Sequence, residues 1–349
     1  MKNLLIITQR VDENDDLLGF FVGWIRELAK HFDRVFVITL AKGNYQLSKN
    51  VFVYSLGKER GTRKITRLIT FYKLLFTLVP ESNGIFAHMS PVFAIASWPA
   101  AVLFRKKIIL WYLHRSVTTR LKIAEKLCYK IATAAKESLM LRSRKIVETG
   151  HGINIDEFKT DRNWTDGMLK ILSVGRISKI KNYDTLLEAA KILRERGVDF
   201  KIKIIGQPVM GPDVDYFDFI KSLKERLNLE KEVDFVGFVP HSRIPSFYKE
   251  SDFVIGLTPE GGIDKAILEG MASGCIVLTS NTANQKYLGP YADKLLFDYR
   301  APNDLANKIE VINLMAVETK REISRFLVES VSRRHNLKAL VNRLAKFFT

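Results

Sequence analysis

At 349 residues, 47% of them hydrophobic and 27% charged, the chain has an ordinary globular composition and room for two domains with separate cores. Cys128 and Cys275 are its only cysteines, which excludes a cysteine metal centre and fits a reducing compartment. The net charge of +17 is uneven: 27 Lys/Arg against 14 Asp/Glu in residues 1–165, 23 against 24 in residues 166–330, and 5 against none in the last nineteen. Such asymmetry points to an anionic partner for the first half, either nucleic acid or a membrane surface.

The chain opens on a short β-branched run that lacks the character of a signal peptide. Leu4–Thr8 reads as a strand, followed by Gln9-Arg-Val-Asp-Glu-Asn-Asp-Asp-Leu-Leu-Gly19 and a helix to about Lys30. Gly19, near that helix start, would let backbone approach a phosphate; it also suits a plain turn. The acids Asp12, Glu13, Asp15 and Asp16 are no calcium loop, because Leu17 and Gly23 stand where an EF-hand needs Gly and Glu. Further strands are expected at Arg34–Leu40, Val51–Tyr54, Ile85–His88, Lys107–Leu113, Ile131–Ala134 and Lys145–Glu148.

From Lys58 to Phe76, basic residues lead into a strongly apolar helix. That pattern suits attachment to anionic lipid as well as a solvated basic face. The longest apolar run, Pro91–Phe104, has 14 residues and contains Pro99, too short to span a bilayer. His114 closes the run from Lys107, at a strand end where an imidazole can meet a sugar hydroxyl or the reacting centre. His88, His151 and His241 have no metal-ligand spacing. The polar segment Lys159–Gly167 breaks every periodicity and reads as a linker.

In the second half the expected strands are Lys170–Val174, Lys201–Ile205, Val233–Val236, Phe253–Leu257, Ile276–Thr279 and Lys294–Phe297. Helices are expected at Asp184–Arg196, Tyr216–Leu227 and Leu305–Glu310. Strand–helix alternation of this kind predicts parallel sheets with crossover helices. Arg176 and Lys181 bracket the loop after Lys170–Val174, where a guanidinium fork and an ammonium can neutralise a diphosphate leaving group. Asp213-Val-Asp215 has the look of an Asp-x-Asp metal motif, but Asp213 is better read as a helix N-cap.

Glu269 is the most informative residue. It sits among Ile267, Leu268, Met271 and Ala272, where a carboxylate needs a partner. The Gly-rich turn before it follows a buried strand and opens a helix, a geometry that holds anions in open α/β sheets. Lys265 lies four residues before Glu269 on the same helix face. The residues themselves thus suggest a nucleotide site: Lys265 and the turn amides near phosphate, Glu269 accepting from ribose hydroxyls. A surface ion pair on a core helix is the plainer alternative.

Taken together these segments resemble retaining family-4 glycosyltransferases of the GT-B fold. The resemblance rests on Gly19, the His114 strand end, Gly150-His-Gly-Ile-Asn154, Val174-Gly-Arg-Ile-Ser-Lys-Ile-Lys181, Phe235-Val-Gly-Phe-Val239 and Leu268-Glu-Gly-Met-Ala-Ser-Gly274. It implies an α/β protein of two doubly wound Rossmann-like domains facing a central cleft. The domains would be 1–160 for the acceptor and 168–330 for the nucleotide sugar, with 331–349 a helix crossing back to the first. The implied donor site has Arg176 and Lys181 on the diphosphate, Glu269 on the ribose and the Phe238–Val239 backbone on the base. Gly206, Gly262, Ile263 and Lys265 complete its wall, and Gly19 approaches from the first domain. His114, Glu260 and Asp264 are the implied catalytic candidates. The family's motif has two glutamates separated by seven residues; here Gly261 holds the first position, Glu260 is one residue early and Asp264 lies five before Glu269.

The resemblance further implies retention of configuration without metal or other cofactor, a UDP- or GDP-linked sugar donor, and a lipid-linked or glycan acceptor. The charge adds an anionic membrane partner and a peripheral position on the cytoplasmic face. Alternatives are a sugar-nucleotide epimerase on the same fold and a silent nucleotide- or glycan-binding paralogue. Nucleic acid is not expected as a partner, since the chain has no RNP-like, zinc-finger or basic-zipper pattern.

Overall fold

The computed structural model of the chain describes residues 1–160, 162, 164, 167–209 and 211–348. The chain forms two compact units: residues 1–154, 240–242 and 335–349, and residues 155–239 and 243–334.

The first unit is built on seven strands: β1 (Asn3–Val11), β2 (Arg34–Lys42), β3 (Val51–Ser55), β4 (Gly84–His88), β5 (Lys107–Trp111), β6 (Lys130–Thr133) and β7 (Ile146–Glu148). They pair in the order β3-β2-β1-β4-β5-β6-β7, all parallel. Because strand side chains alternate, β1 sends Leu4 and Ile6 to one core and Leu5 and Ile7 to another. This is why the strands read as unbroken apolar runs: both sheet faces are covered. The Phe20–Leu28 helix and the Leu337–Ala345 helix fill the first core with Trp24, Ile25, Leu340 and Leu344. The helices Lys64–Leu78, Pro91–Leu103 and Thr119–Leu127 cover the other.

The return of the chain is built into this unit. Ile153 bridges to Asn336 in parallel, and Leu337 N donates to Ile153 O at 2.8 Å. Gly152 is held at φ +67 with Trp24 Nε1 donating to its carbonyl at 3.2 Å. A β-carbon on Gly152 would meet the Trp24 ring at 2.5 Å, so glycine is required there.

The second unit holds β8 (Leu169–Val174), β9 (Phe200–Ile205), β10 (Val233–Gly237), β11 (Phe253–Gly256) and β12 (Ile276–Thr279). Their order is β10-β9-β8-β11-β12, again all parallel. The order reverses between β8 and β11, so the loops after these two strands flank the crevice of a doubly wound sheet.

Three expectations are corrected. Lys294–Phe297 is not a strand. Ala292–Leu295 is a helical turn, and Leu296 makes a single bridge to Thr279. So short an apolar run carries no period that separates strand from turn. Asp213 is not an N-cap but the third residue of the Gly211–Arg226 helix. The segment 159–167 is no free linker in its described part. Arg162 donates to the carbonyls of Ser251, Tyr248 (3.0 Å) and Ser273 (3.1 Å), and Trp164 is buried near Phe253. Its polar composition conceals a guanidinium that satisfies buried carbonyls. Asp161, Asn163, Thr165 and Asp166 lie outside the described residues.

Candidate functional site

The second unit gathers most of its candidate side chains at the β8–β11 reversal. After β8 the chain passes Gly175 and Arg176, forms a short turn at Lys179–Lys181, and enters the Tyr183–Glu195 helix through left-handed Asn182 (φ 48). Tyr183 donates its hydroxyl to Gly175 O at 3.0 Å, tying the loop to the helix it precedes. The loop after β9 is locked beside it. Gly206 stands at φ +139, and a β-carbon there would fall 2.0 Å from Gly175 O. Only glycine allows these two backbones to come so close.

The loop after β11 delivers the opposing residues. Asp264 caps the Lys265–Ala272 helix, accepting from Ala266 N at 3.2 Å, and Asn281 fixes the turn by donating to Gly262 O at 2.9 Å. Ile263 is buried beneath it. Across the reversal, Lys181 Nζ meets Asp264 Oδ2 at 2.5 Å. One turn along the helix, Lys265 Nζ donates to Glu269 Oε1 at 2.7 Å.

Glu269 is 4% exposed, so its charge must be compensated inside the protein. Lys265 and Tyr248 do this, the Tyr248 hydroxyl lying 3.1 Å from Glu269 Oε2. Burial, and then the Glu269 carboxylate beside it, push the Tyr248 hydroxyl far above its ordinary range, so it stays a proton donor. Arg176 has a separate partner: its Nε lies 3.7 Å from Asp213 Oδ2, and Asp213 is 7% exposed.

Lys181 thus pairs with Asp264 and Lys265 with Glu269 at the start of one helix, while Arg176, on the loop that carries Lys181, pairs with Asp213. Glu260 behaves differently. It is exposed and accepts from Thr282 Oγ1 at 2.9 Å. Phe238 and Val239 are half-buried and directly follow β10. In the first unit, Gly19 is the residue before the Phe20–Leu28 helix, and a β-carbon there would meet the carbonyl oxygens of Asp15 and Glu13 at 2.8 Å. That tight loop is itself a reason for glycine. His114 lies three residues past the end of β5, exposed, with its ring 5.3 Å from Tyr112.

Sequence reasoning missed Tyr248 and Asn281, and it noticed Asp213 without its pairing to Arg176. Tyr248 and Asp213 meet Glu269 and Arg176 from other helices, and no local pattern carries those pairings; Asn281 follows β12, where an Asx turn could have been read. Among the described residues no group of three or more His, Cys, Asp or Glu could hold a metal ion. Chemically the arrangement sets cations beside the N-terminus of a helix, a grouping of the kind that can hold an anion.

Residues 154–324 match the family model for glycosyl transferases group 1. The chain is 29% identical over 163 residues to the alpha-monoglucosyldiacylglycerol synthase of Streptococcus pneumoniae, covering 45% of this chain and 34% of that protein. It is 32% identical over 148 residues to the amylovoran biosynthesis glycosyltransferase AmsK of Erwinia amylovora, covering 40% and 34%. The chain thus spans about a third of the length of these two relatives. In fold it is similar to Anabaena Alr3699/HepE in complex with UDP, with a TM-score of 0.77 at 18% identity over 99% of both chains. It is likewise similar to the sucrose-phosphate synthase of Thermosynechococcus elongatus, with a TM-score of 0.77 at 16% identity over 100% of this chain and 98% of that one. These neighbours show the α/β architecture of the GT-B class. It is the segment 154–324, just under half of the chain, that carries the likeness to the glycosyl transferases group 1 family.

Proposed function

We propose that the protein is a retaining, metal-independent glycosyltransferase that moves a sugar from a nucleoside diphosphate to a lipid-linked or glycan acceptor. The observation that carries this reading is the gathering of Lys181, Lys265 and Glu269 at the β8–β11 reversal. Arg176 and Lys181 neutralise the charge that develops on the departing diphosphate, which is where fixed charge lowers a barrier. Glu269, oriented by Lys265 and Tyr248, accepts from the ribose hydroxyls. The amides around Gly262 and Ile263 and the backbone at Phe238–Val239 complete the donor wall.

UDP is the first nucleotide to test, because the Anabaena neighbour is described in complex with UDP and with UDP-glucose. A nucleotide at 100 times its dissociation constant should stabilise the fold by about 2.7 kcal/mol. EDTA should leave that shift intact. Incubation with radiolabelled UDP- and GDP-sugars then separates the chemistry: slow donor hydrolysis supports a transferase, interconversion of sugars an epimerase, and neither a silent binder.

The acceptor side of the proposal places the protein on the cytoplasmic face of an anionic membrane. On the Lys64–Leu78 helix, Phe71, Leu75 and Leu78 face the core, while Ile65, Leu68, Ile69 and Phe76 are exposed. Trp98, Val102 and Leu103 on the Pro91–Leu103 helix are exposed too, and Phe104 packs edge-on to Phe76 at 6.4 Å. Arg63, Lys64, Arg105 and Lys107 flank this apolar surface, exposed as well. Lipid attachment by insertion and charge fits such a surface, at about 1 kcal/mol per basic residue near an anionic bilayer. No helix among the described residues is long and apolar enough to cross a membrane. Co-sedimentation should require anionic vesicles, fall with salt, and weaken when Arg63, Lys64 and Arg67 become Ser. Indifference of the wild type to such vesicles at low salt would remove the membrane step and leave the transferase standing.

A further inference from the structure

We infer that Asp264 is an internal rival of the donor phosphate, a residue that sets nucleotide affinity and takes no part in transfer. The inference rests on the nucleotide reading of the site. A phosphate seated there needs two things: the Lys181 ammonium and the amides at the start of the Lys265–Ala272 helix. Asp264 already holds both. Its Oδ2 is 2.5 Å from Lys181 Nζ, and its Oδ1 accepts from Ala266 N at 3.2 Å. The two side chains are 19% and 13% exposed, so the pair is largely out of water and its attraction is weakly screened.

The other two cations of the site are engaged differently. Lys265 is bound to Glu269 in the pair that orients the ribose acceptor. Arg176 stands 3.7 Å from Asp213 with no hydrogen bond between them, a looser contact that a guanidinium can leave or share. Of the two cations assigned to the diphosphate, Lys181 is the one that must give up a short, charge-assisted bond before it can grip it. Binding is therefore an exchange: one carboxylate leaves the ammonium and a phosphate oxygen replaces it. The donor's gain is reduced by what the Lys181–Asp264 pair was worth.

Asp264→Asn isolates this effect, because asparagine is as good an N-cap as aspartate and the helix start is preserved. Calorimetry with UDP and GDP should show the variant binding about tenfold more tightly than wild type, the range expected of one charge-assisted bond. Its melting temperature without nucleotide should fall, since a native contact is lost. In a Lys181→Met background the same Asp264→Asn change should give no tightening. A merely structural role for Asp264 would not produce a gain that depends on Lys181. Equal or weaker binding by Asp264→Asn, with wild type binding normally, overturns the inference and makes Asp264 a donor contact. Failure of UDP and GDP to bind wild type and every variant overturns instead the nucleotide reading beneath it.

Discussion

Both units are doubly wound parallel sheets with one reversal of strand order, yet the two reversals are furnished in opposite ways. Between β8 and β11 stand three cations, each beside its own carboxylate. Between β1 and β4 stands an aromatic pocket closed on a histidine. His88 ends β4, fully buried, with Thr8 Oγ1 3.1 Å from its Nδ1, Phe21 stacked on it at 3.5 Å and Trp111 at 5.6 Å. Burial pulls its pKa down to about 3, so the imidazole is neutral at working pH. The same topology thus yields a cluster of charged pairs in one unit and a packed aromatic joint in the other. Strand order says where a crevice forms, and side chains decide whether it binds or merely holds.

If that contrast is right, damage to the aromatic joint should cost fold, not affinity. Trp111→Ala removes a ring that is 1% exposed and should destabilise the protein by about 3–5 kcal/mol. UDP affinity, measured well below the melting transition, should stay within about twofold, a nearly neutral change in binding free energy. A large loss of affinity in the folded variant would break the comparison. Conversely, Lys181→Ala and Arg176→Ala should each weaken UDP binding by about 1.5–3 kcal/mol. Calorimetry showing unchanged affinity in both would place the phosphate elsewhere.

His88 sharpens the contrast through pH. Its folded value, about 3, lies below its ordinary 6.5, so the unfolded chain binds the extra proton between those limits. Stability from this group is complete above pH 6.5 and is lost as pH falls toward 3, by up to about 1.4 kcal/mol per pH unit. Denaturant melts of His88→Leu against wild type should show that slope flattened in the variant. The smallest effect belongs to Tyr248→Phe, which removes one donor from Glu269 and should lower donor affinity by about 0.5–1.5 kcal/mol. Glu269→Gln should cost more, and should act on the donor's binding constant rather than on turnover of bound donor.

Much of this was legible in the sequence, and the reasons are local. Buried parallel strands read as apolar runs, so Leu4–Thr8, Lys201–Ile205 and Ile276–Thr279 announced themselves. A charge inside an apolar helix announced Glu269. What local pattern cannot carry is the identity of a partner in space. Arg162 looked like linker polarity because the carbonyls it satisfies belong to residues 248, 251 and 273. The pairing of Asp264 with Lys181, 83 residues earlier, is likewise invisible from its neighbours in sequence.

The segment that returns to the first unit bears on the order in which the protein can be made. Leu337, Leu340, Val341 and Leu344 enter the same core as Leu4, Trp24 and Ile25, and Phe348 lies so near Gly84 that a β-carbon there would touch its ring at 2.6 Å. During synthesis the residues of β1 leave the ribosome more than three hundred positions before these partners do. The amino-terminal half must therefore wait, with one face of its sheet unfinished, while the whole second unit emerges and folds. A nascent chain in that state is a natural client for chaperones, and a stop codon that removes the last dozen or so residues should yield aggregation rather than a shorter working protein.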